Sequence, residues 1–240
     1  MKRSIARTAL ALLVSATTVV AGPTARGQGL DAASTASPRF SARIDNPWFP
    51  VTPGTIAVYT GVKDGKEARD VVTVTRETTT IARTPCRAVR DLLYLEGKLA
   101  ERTTDWYTQD AAGNVWYFGE RTAELDEHGH VKTTEGSWTA GVDGAVPGVF
   151  MFAHTKVGDS ARQEYYKGQA EDHFRVLRIG VPVRVPYRSF GSTLLTKEWT
   201  PLEPGVIDHK FYARGIGTVL EVTAKGPLER NELIALRKGA

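Results

Sequence analysis

Three glycines recur at a fixed interval. Gly97, Gly113 and Gly129 are each 16 residues from the next, and each belongs to a turn-forming pair: Glu96 with Gly97, Gly113 with Asn114, His128 with Gly129. Asp64 with Gly65 is a further signal of the same kind. Allowing a few residues for each turn leaves arms of about 12 residues, long beside the usual strand of ~5 to 6. The arms are rich in β-branched and aromatic side chains, as in VVTVT at 71–75, DWYTQ at 105–109 and VWYF at 115–118. Such side chains crowd a helix and fit a pleated strand. The spacing therefore predicts an antiparallel meander of long, twisted strands.

The second half continues in the same style. RQEYYKG, DHFRVLRI, VPVRVPY, STLLTKEWT, DHKFYARG and GTVLEVTAKG all read as strands punctuated by Gly or Pro. Between the halves, GVDGAVPGVFM at 141–151 holds three glycines and a proline and reads as an irregular covering loop. No polar linker interrupts the chain, and a sheet needs both halves to cover its apolar face. The expected fold is all-β: one domain over 40–240, an antiparallel meander curved into a half-barrel or a sandwich.

The N-terminal segment reads as an export signal. Lys2, Arg3 and Arg7 precede an apolar run from Ala9 to Ala21, with Val19 and Ala21 as the small residues of a cleavage site. That run is shorter than the ~20 residues a spanning helix needs. Residues 1–21 are thus expected to be a signal peptide cleaved near Ala21, residues 22–39 a flexible leader, and the mature chain a secreted or periplasmic protein without a transmembrane segment. Cleavage removes three basic and no acidic side chains, leaving 28 Lys and Arg against 27 Asp and Glu. A balance so near neutral offers no footprint for nucleic acid, which is excluded as a partner. The one cysteine, Cys86, reads as a small buried strand residue.

Chemistry concentrates in the hairpin DWYTQDAAGNVWYFGE at 105–120. Strict alternation places Asp105, Tyr107 and Gln109 on one face of the first arm, with Trp106, Thr108 and Asp110 on the other. On the second arm, Trp116, Phe118 and Glu120 oppose Val115 and Tyr117. Aromatic side chains on both faces have two readings. Either one face is core and the other is shielded by a loop, or they form a platform for an apolar chain or a sugar ring. On the second reading Trp106, Tyr107, Trp116 and Phe118 stack on the ligand, while Asp105, Asp110 and Glu120 anchor its polar part. The ligand is expected to be an apolar or amphipathic small molecule, with a lipid or a glycan as candidates.

A hydrolase would need two acids about 5 to 10 Å apart with one pKa raised. Asp105, Asp110, Glu120, Glu164 and Asp172 are the acids available for that alternative. Asp126, Glu127, His128 and His130 resemble a metal cluster, but Gly129 marks a turn there, and a third ligand such as Asp172 or His173 would have to come from another strand. No G-x-S-x-G elbow, Walker loop, H-E-x-x-H or paired C-x-x-C is present. No catalytic residue, metal ligand or cofactor is assigned.

Four segments carry a resemblance: IDNPWFPVTPGTIAVYTG at 44–61, the 105–120 hairpin, VPYRSFGSTLLTKEWT at 185–200 and KFYARGIGTVLEV at 210–222. Together they resemble uncharacterised secreted bacterial proteins of the TapB-like families, related to the LolA-like lipoprotein-carrier fold. Arg188 and Ile216 depart from that pattern, standing where glycine and valine are usual. The resemblance implies a highly curved antiparallel sheet whose concave face holds an apolar ligand in some relatives. It transfers no substrate-contacting residue.

Overall fold

The computed structural model describes residues 39–239. The signal peptide at 1–21 and all of the 22–39 leader except Arg39 lie outside the described residues. From the Gly-spaced half come β1 (Ile56–Lys63), β2 (Lys66–Ile81), β3 (Thr84–Leu95), β4 (Lys98–Gln109) and β5 (Val115–Leu125). Short strands follow: β6 (Val131–Thr133), β7 (Trp138–Thr139), β8 (Val146–Met151), β9 (Ser160–Arg162) and β10 (Glu164–Tyr165). The second half supplies β11 (His173–Arg184), β12 (Ser189–Trp199), β13 (Ile207–Ala213), β14 (Gly217–Lys225) and β15 (Arg230–Arg237).

The strands form one antiparallel sheet in the order β10-β8-β5-β4-β3-β2-β1-β15-β14-β13-β12-β11-β9. The expected turns are where the glycines put them. Asp64 with Gly65 and Glu96 with Gly97 have positive φ at both residues, the twist-matched geometry that closes a two-residue hairpin. The β2–β3 turn uses Ala82 and Arg83 in that same conformation, without a glycine to announce it.

The sheet is nearly closed into a barrel. Closure falls on the short strands: residues 160–162 pair with β11, while 164–165 pair with β8. The 141–151 segment, expected to be an irregular loop, contributes β8 to this seam. Gly148 explains the exception, because a Cβ there would lie 2.2 Å from the Arg162 carbonyl oxygen and 2.5 Å from the Gln163 carbonyl carbon. The glycine lets two backbones meet.

One end of the barrel is covered by residues 40–51. Asn46 is 2% exposed. Its Oδ1 accepts from the Trp48 and Phe49 amides at 2.9 and 3.1 Å, and its Nδ2 donates to the carbonyls of Gly113 and Phe152 at 3.0 and 3.2 Å. On the far side, the Gly215 amide donates to the Pro47 carbonyl at 2.8 Å, and the Arg214 guanidinium lies 4.1 Å from the Trp48 ring centre. The lid thus spans from the β4–β5 turn to the β13–β14 turn, burying Ile44, Trp48 and Val51 in the main apolar core.

Two substitutions test this architecture by thermal or chemical denaturation. Gly148→Val is expected to cost about 1 to 3 kcal/mol or more by forcing the seam apart; an unchanged midpoint would mean the strands need no such approach. Asn46→Ala removes four side-chain hydrogen bonds, one buried and three partly buried, and is expected to cost about 2 to 4 kcal/mol, with Asn46→Asp restoring only the two accepted ones.

Candidate functional site

Inside the barrel, acids replace the expected apolar lining. Each of four successive long strands carries an acid beside an arginine: Arg69 and Asp70 on β2, Arg90 and Asp91 on β3, Glu101 and Arg102 on β4, Glu120 and Arg121 on β5. Because neighbouring residues point to opposite faces, the four arginines are exposed outside while all four acids line the interior. Val72 pairs with Asp91 and Val89 with Asp105, so Asp70, Asp91 and Asp105 fall two residues apart across adjacent strands. Strand tilt turns such a diagonal into a level row around the barrel axis. Opposite this row, Lys210 on β13 pairs with Glu221 on β14, which pairs with Asn231 on β15.

The interior has two compartments that share Glu221. The inner one, about 200 Å³, lies beneath the lid residues Phe49 and Val51, with Val72, Val74, Tyr107 and Phe150 among its apolar walls. The outer one, about 1010 Å³, opens at the turns of the uncovered end. Twelve acidic residues line that mouth against four lysines, so its potential is negative although the whole chain is formally +4.

Hydrogen bonds tie the row to tyrosines. Tyr117 Oη donates to Asp105 Oδ1 at 2.6 Å and lies 3.3 Å from Glu120 Oε2. Tyr212 Oη donates to Glu198 at 2.9 Å. Lys210 Nζ lies 3.0 Å from Glu198 and 3.5 Å from Glu221. Burial works against its charge, but these two carboxylates hold the ammonium well above its ordinary pKa. Burial also pushes the Asp105 carboxyl up to about 7, with the Tyr117 hydrogen bond opposing and the charges of Glu101 and Asp70 adding to it. Asp91 is raised well above the carboxylate range by burial, by a hydrogen bond with Asp70 and by the charges of Asp70, Asp105 and Glu101. Asp70 Oδ1 and Asn231 Oδ1 are buried without a hydrogen-bond partner.

The structure divides the residues expected from the 105–120 hairpin. Asp105 and Tyr107 line the inner compartment and Glu120 the mouth. Trp106, Trp116, Phe118 and Asp110 lie on the opposite face. There Phe40 covers Trp116 and Phe118, with ring centres 6.0 and 5.5 Å away. Strict alternation grouped Glu120 with Trp116 and Phe118, and this is corrected by a bulge. Asp105 pairs with Glu120 and Tyr107 with Tyr117, so β5 spends one extra residue at 118–119, and Gly119 takes φ 139°. The bulge turns Glu120 inward beside Tyr117. Asp110 is occupied in its turn, where it accepts from the Ala112 and Asn114 amides, Asn114 Nδ2 and Trp116 Nε1. Burial would raise its pKa, but these bonds outweigh burial and keep it below the usual value.

The remaining acids and imidazoles do not converge. Glu164 bonds the Trp138 indole. His128 and His130 are exposed in a turn organised by Asp126, which accepts both their amides. His173 stacks on Trp199 at 5.4 Å. Among the described residues no group of three or more His, Cys, Asp or Glu could hold a metal ion. Cys86 is fully buried in β3, and burial pushes its thiol up to about 12. Sequence reasoning missed Asp70, Asp91, Lys210 and Glu221. For Asp70 and Asp91 the signal available was the acid-beside-arginine pair repeated on successive strands; nothing comparable announces Lys210 and Glu221.

Among the described residues no helix is long and apolar enough to cross a membrane. No family model and no curated protein matches the chain. Among solved structures, a candidate lipoprotein from Parabacteroides distasonis ATCC 8503 aligns with 80% of this chain and 99% of its own, at 10% identity and a TM-score of 0.42.

The buried acids set the pH response. A carboxyl whose pKa is raised by folding binds more protons folded than unfolded, so stability falls as pH rises from the unfolded value near 4 to the folded one. For Asp105 that window ends at about 7. The melting temperature is therefore expected to be higher at pH 5.5 than at pH 8. Asp105→Asn should shrink that difference and raise stability at pH 8 by on the order of a few kcal/mol at most; a difference that persists unchanged would remove Asp105 from the effect.

Proposed function

We propose that the chain is a non-catalytic exported protein that holds an apolar or amphipathic small molecule inside its barrel. The observation that carries this reading is the inner compartment: about 200 Å³ of open space, walled by aromatic and β-branched side chains, roofed by the lid and joined to a wider hollow. Protein interiors are ordinarily packed like organic crystals, and a cavity costs stability in proportion to its volume. Space retained at the centre of a fold with a route to solvent has the form of a ligand site, here with apolar walls and convergent polar groups in similar measure.

Asp105 and Tyr107 face the ligand in this proposal, and Glu120 lies on its route through the mouth. Trp106, Trp116, Phe118 and Asp110 brace the wall from outside. The compartment suits a short apolar chain or a single ring better than a complete lipid or a glycan of several sugars. The kinship with TapB-like and LolA-like carriers, and export through residues 1–21 to the periplasm or beyond, belong to the same proposal.

Solvent extraction of the purified protein followed by mass spectrometry should recover a bound small molecule, and an apolar fluorescent probe should enter the emptied barrel. Val72→Trp, which fills the inner compartment, is expected to weaken probe binding at least ten-fold. Binding untouched by that substitution would place the site elsewhere. One observation favours a second reading, an extracellular hydrolase: Asp105, held at about 7, and Glu120 meet at one tyrosine hydroxyl. That reading requires turnover of a chromogenic glycoside or ester that Asp105→Asn abolishes, whereas the binding protein shows none.

A further inference from the structure

We propose that the ligand of this lumen is an organic cation, a protonated amine or a guanidinium carried on a short apolar body, with its charge seated on Asp70, Asp91 and Asp105. The inference rests on the reading of the inner compartment as a binding site and specifies what that site selects.

The first argument is charge. Four carboxyl groups line the inner compartment, those of Asp70, Asp91, Asp105 and Glu221, against the single ammonium of Lys210. That ammonium is already engaged by Glu198 at 3.0 Å and Glu221 at 3.5 Å. Arg69 and Arg90, the cations nearest in sequence to the row, point to the outer surface. Among the described residues no Lys or Arg lies within ion-pair distance of the row Asp70–Asp91–Asp105, and the Lys210 charge reaches Asp105 only from across the barrel. Buried carboxylates without a partner are costly, and an incoming cation supplies the partner.

The second argument is hydrogen bonding. Asp70 Oδ1 and Asn231 Oδ1 are buried acceptors with no donor. Asn231 already spends its amide nitrogen on Asp70 Oδ2 at 3.3 Å. The site thus has acceptors to spare, and what it lacks is N–H groups. A carboxylate ligand would supply further acceptors and meet a mouth of twelve acids and four lysines, which repels it before it arrives.

The third argument separates an organic cation from a metal ion. Calcium or magnesium wants six or more oxygen ligands, and among the described residues no three His, Cys, Asp or Glu side chains are grouped so as to hold a metal ion. The compartment instead sets its carboxyl row against apolar walls that include Val72, Val74, Phe49 and Phe150. A primary ammonium on a short alkyl or aryl body satisfies both halves.

The seat is pH-sensitive in one direction. Asp105 is faced by Tyr117 and Glu120 from β5, by Glu101 and Tyr107 of its own strand, by Asp70 and Asp91 from β2 and β3, and by Lys210 across the barrel. Acid conditions protonate Asp105 and weaken the hold on a cation.

Isothermal titration of the purified mature protein, emptied by solvent extraction, tests the proposal with n-octylamine, octan-1-ol, sodium octanoate and calcium chloride. At pH 8 the amine is expected to bind at least ten-fold tighter than the alcohol, octanoate and calcium to show no binding, and the amine to weaken at least ten-fold at pH 5.5. Asp70→Asn combined with Asp91→Asn should weaken the amine at least ten-fold and leave the alcohol unchanged; Asp105→Asn alone should act in the same direction if the double variant fails to fold. An amine no tighter than the alcohol, or an affinity for octanoate or calcium, overturns the cation and leaves the cavity reading standing. A lumen that takes none of the four overturns both.

Discussion

A ring of this many strands is too wide for its own side chains to fill. Eight strands enclose a space that side chains just occupy, and larger barrels leave a lumen. This chain meets the excess width differently at its two ends. At one end residues 40–51 cross the opening, and Trp48, Val51 and Ile44 become core. At the other end no described residue is inserted in the same way, and the hollow of about 1010 Å³ remains. The inner compartment lies where the lid's underside stops.

Width also explains why charge can sit inside. A packed core would exclude Asp70, Asp91, Asp105 and Glu221, but a lumen that admits water lowers the penalty of keeping them. Lys210 retains 24% and Glu221 34% of side-chain exposure, although both point to the barrel interior. The tyrosines mark the border. Tyr107, Tyr117 and Tyr212 are buried among apolar neighbours, while the hydroxyls of Tyr117 and Tyr212 reach the acid belt. The lumen therefore grades from apolar under the lid to strongly acidic at the mouth, and that gradient is the property on which a ligand would be sorted.

Much of the sheet was legible because hairpin chemistry is local. Asp64 with Gly65 and Glu96 with Gly97 adopt the positive φ that two-residue turns demand, and the even glycine spacing measured the long arms between them. The covering of Trp116 and Phe118 by Phe40 is one of the two arrangements that aromatic side chains on both faces allowed. Where neighbouring backbones rather than local preference decide, the sequence was read wrongly. Gly148 and Pro147 look like loop residues, yet they belong to a strand because the 160–165 segment must pass within touching distance to close the barrel. Gly119 sits within a strand arm read as strictly alternating and is the bulge that redirects Glu120.

The amino-acid pattern by itself determined an all-β chain of long antiparallel strands, since turn residues and β-branched arms act over a few positions and need no distant partner. It also placed an acid and an arginine side by side on each of four strands, and alternation alone commits such neighbours to opposite faces. Which face would be the inside was decided only by closure. Once β8 and the 160–165 segment complete the ring, the acids converge from strands far apart in sequence and the arginines are left to solvent. The cavity, the row of carboxyls and the solitary ammonium opposite them are consequences of long-range pairing, because they depend on the diameter and tilt of the finished barrel.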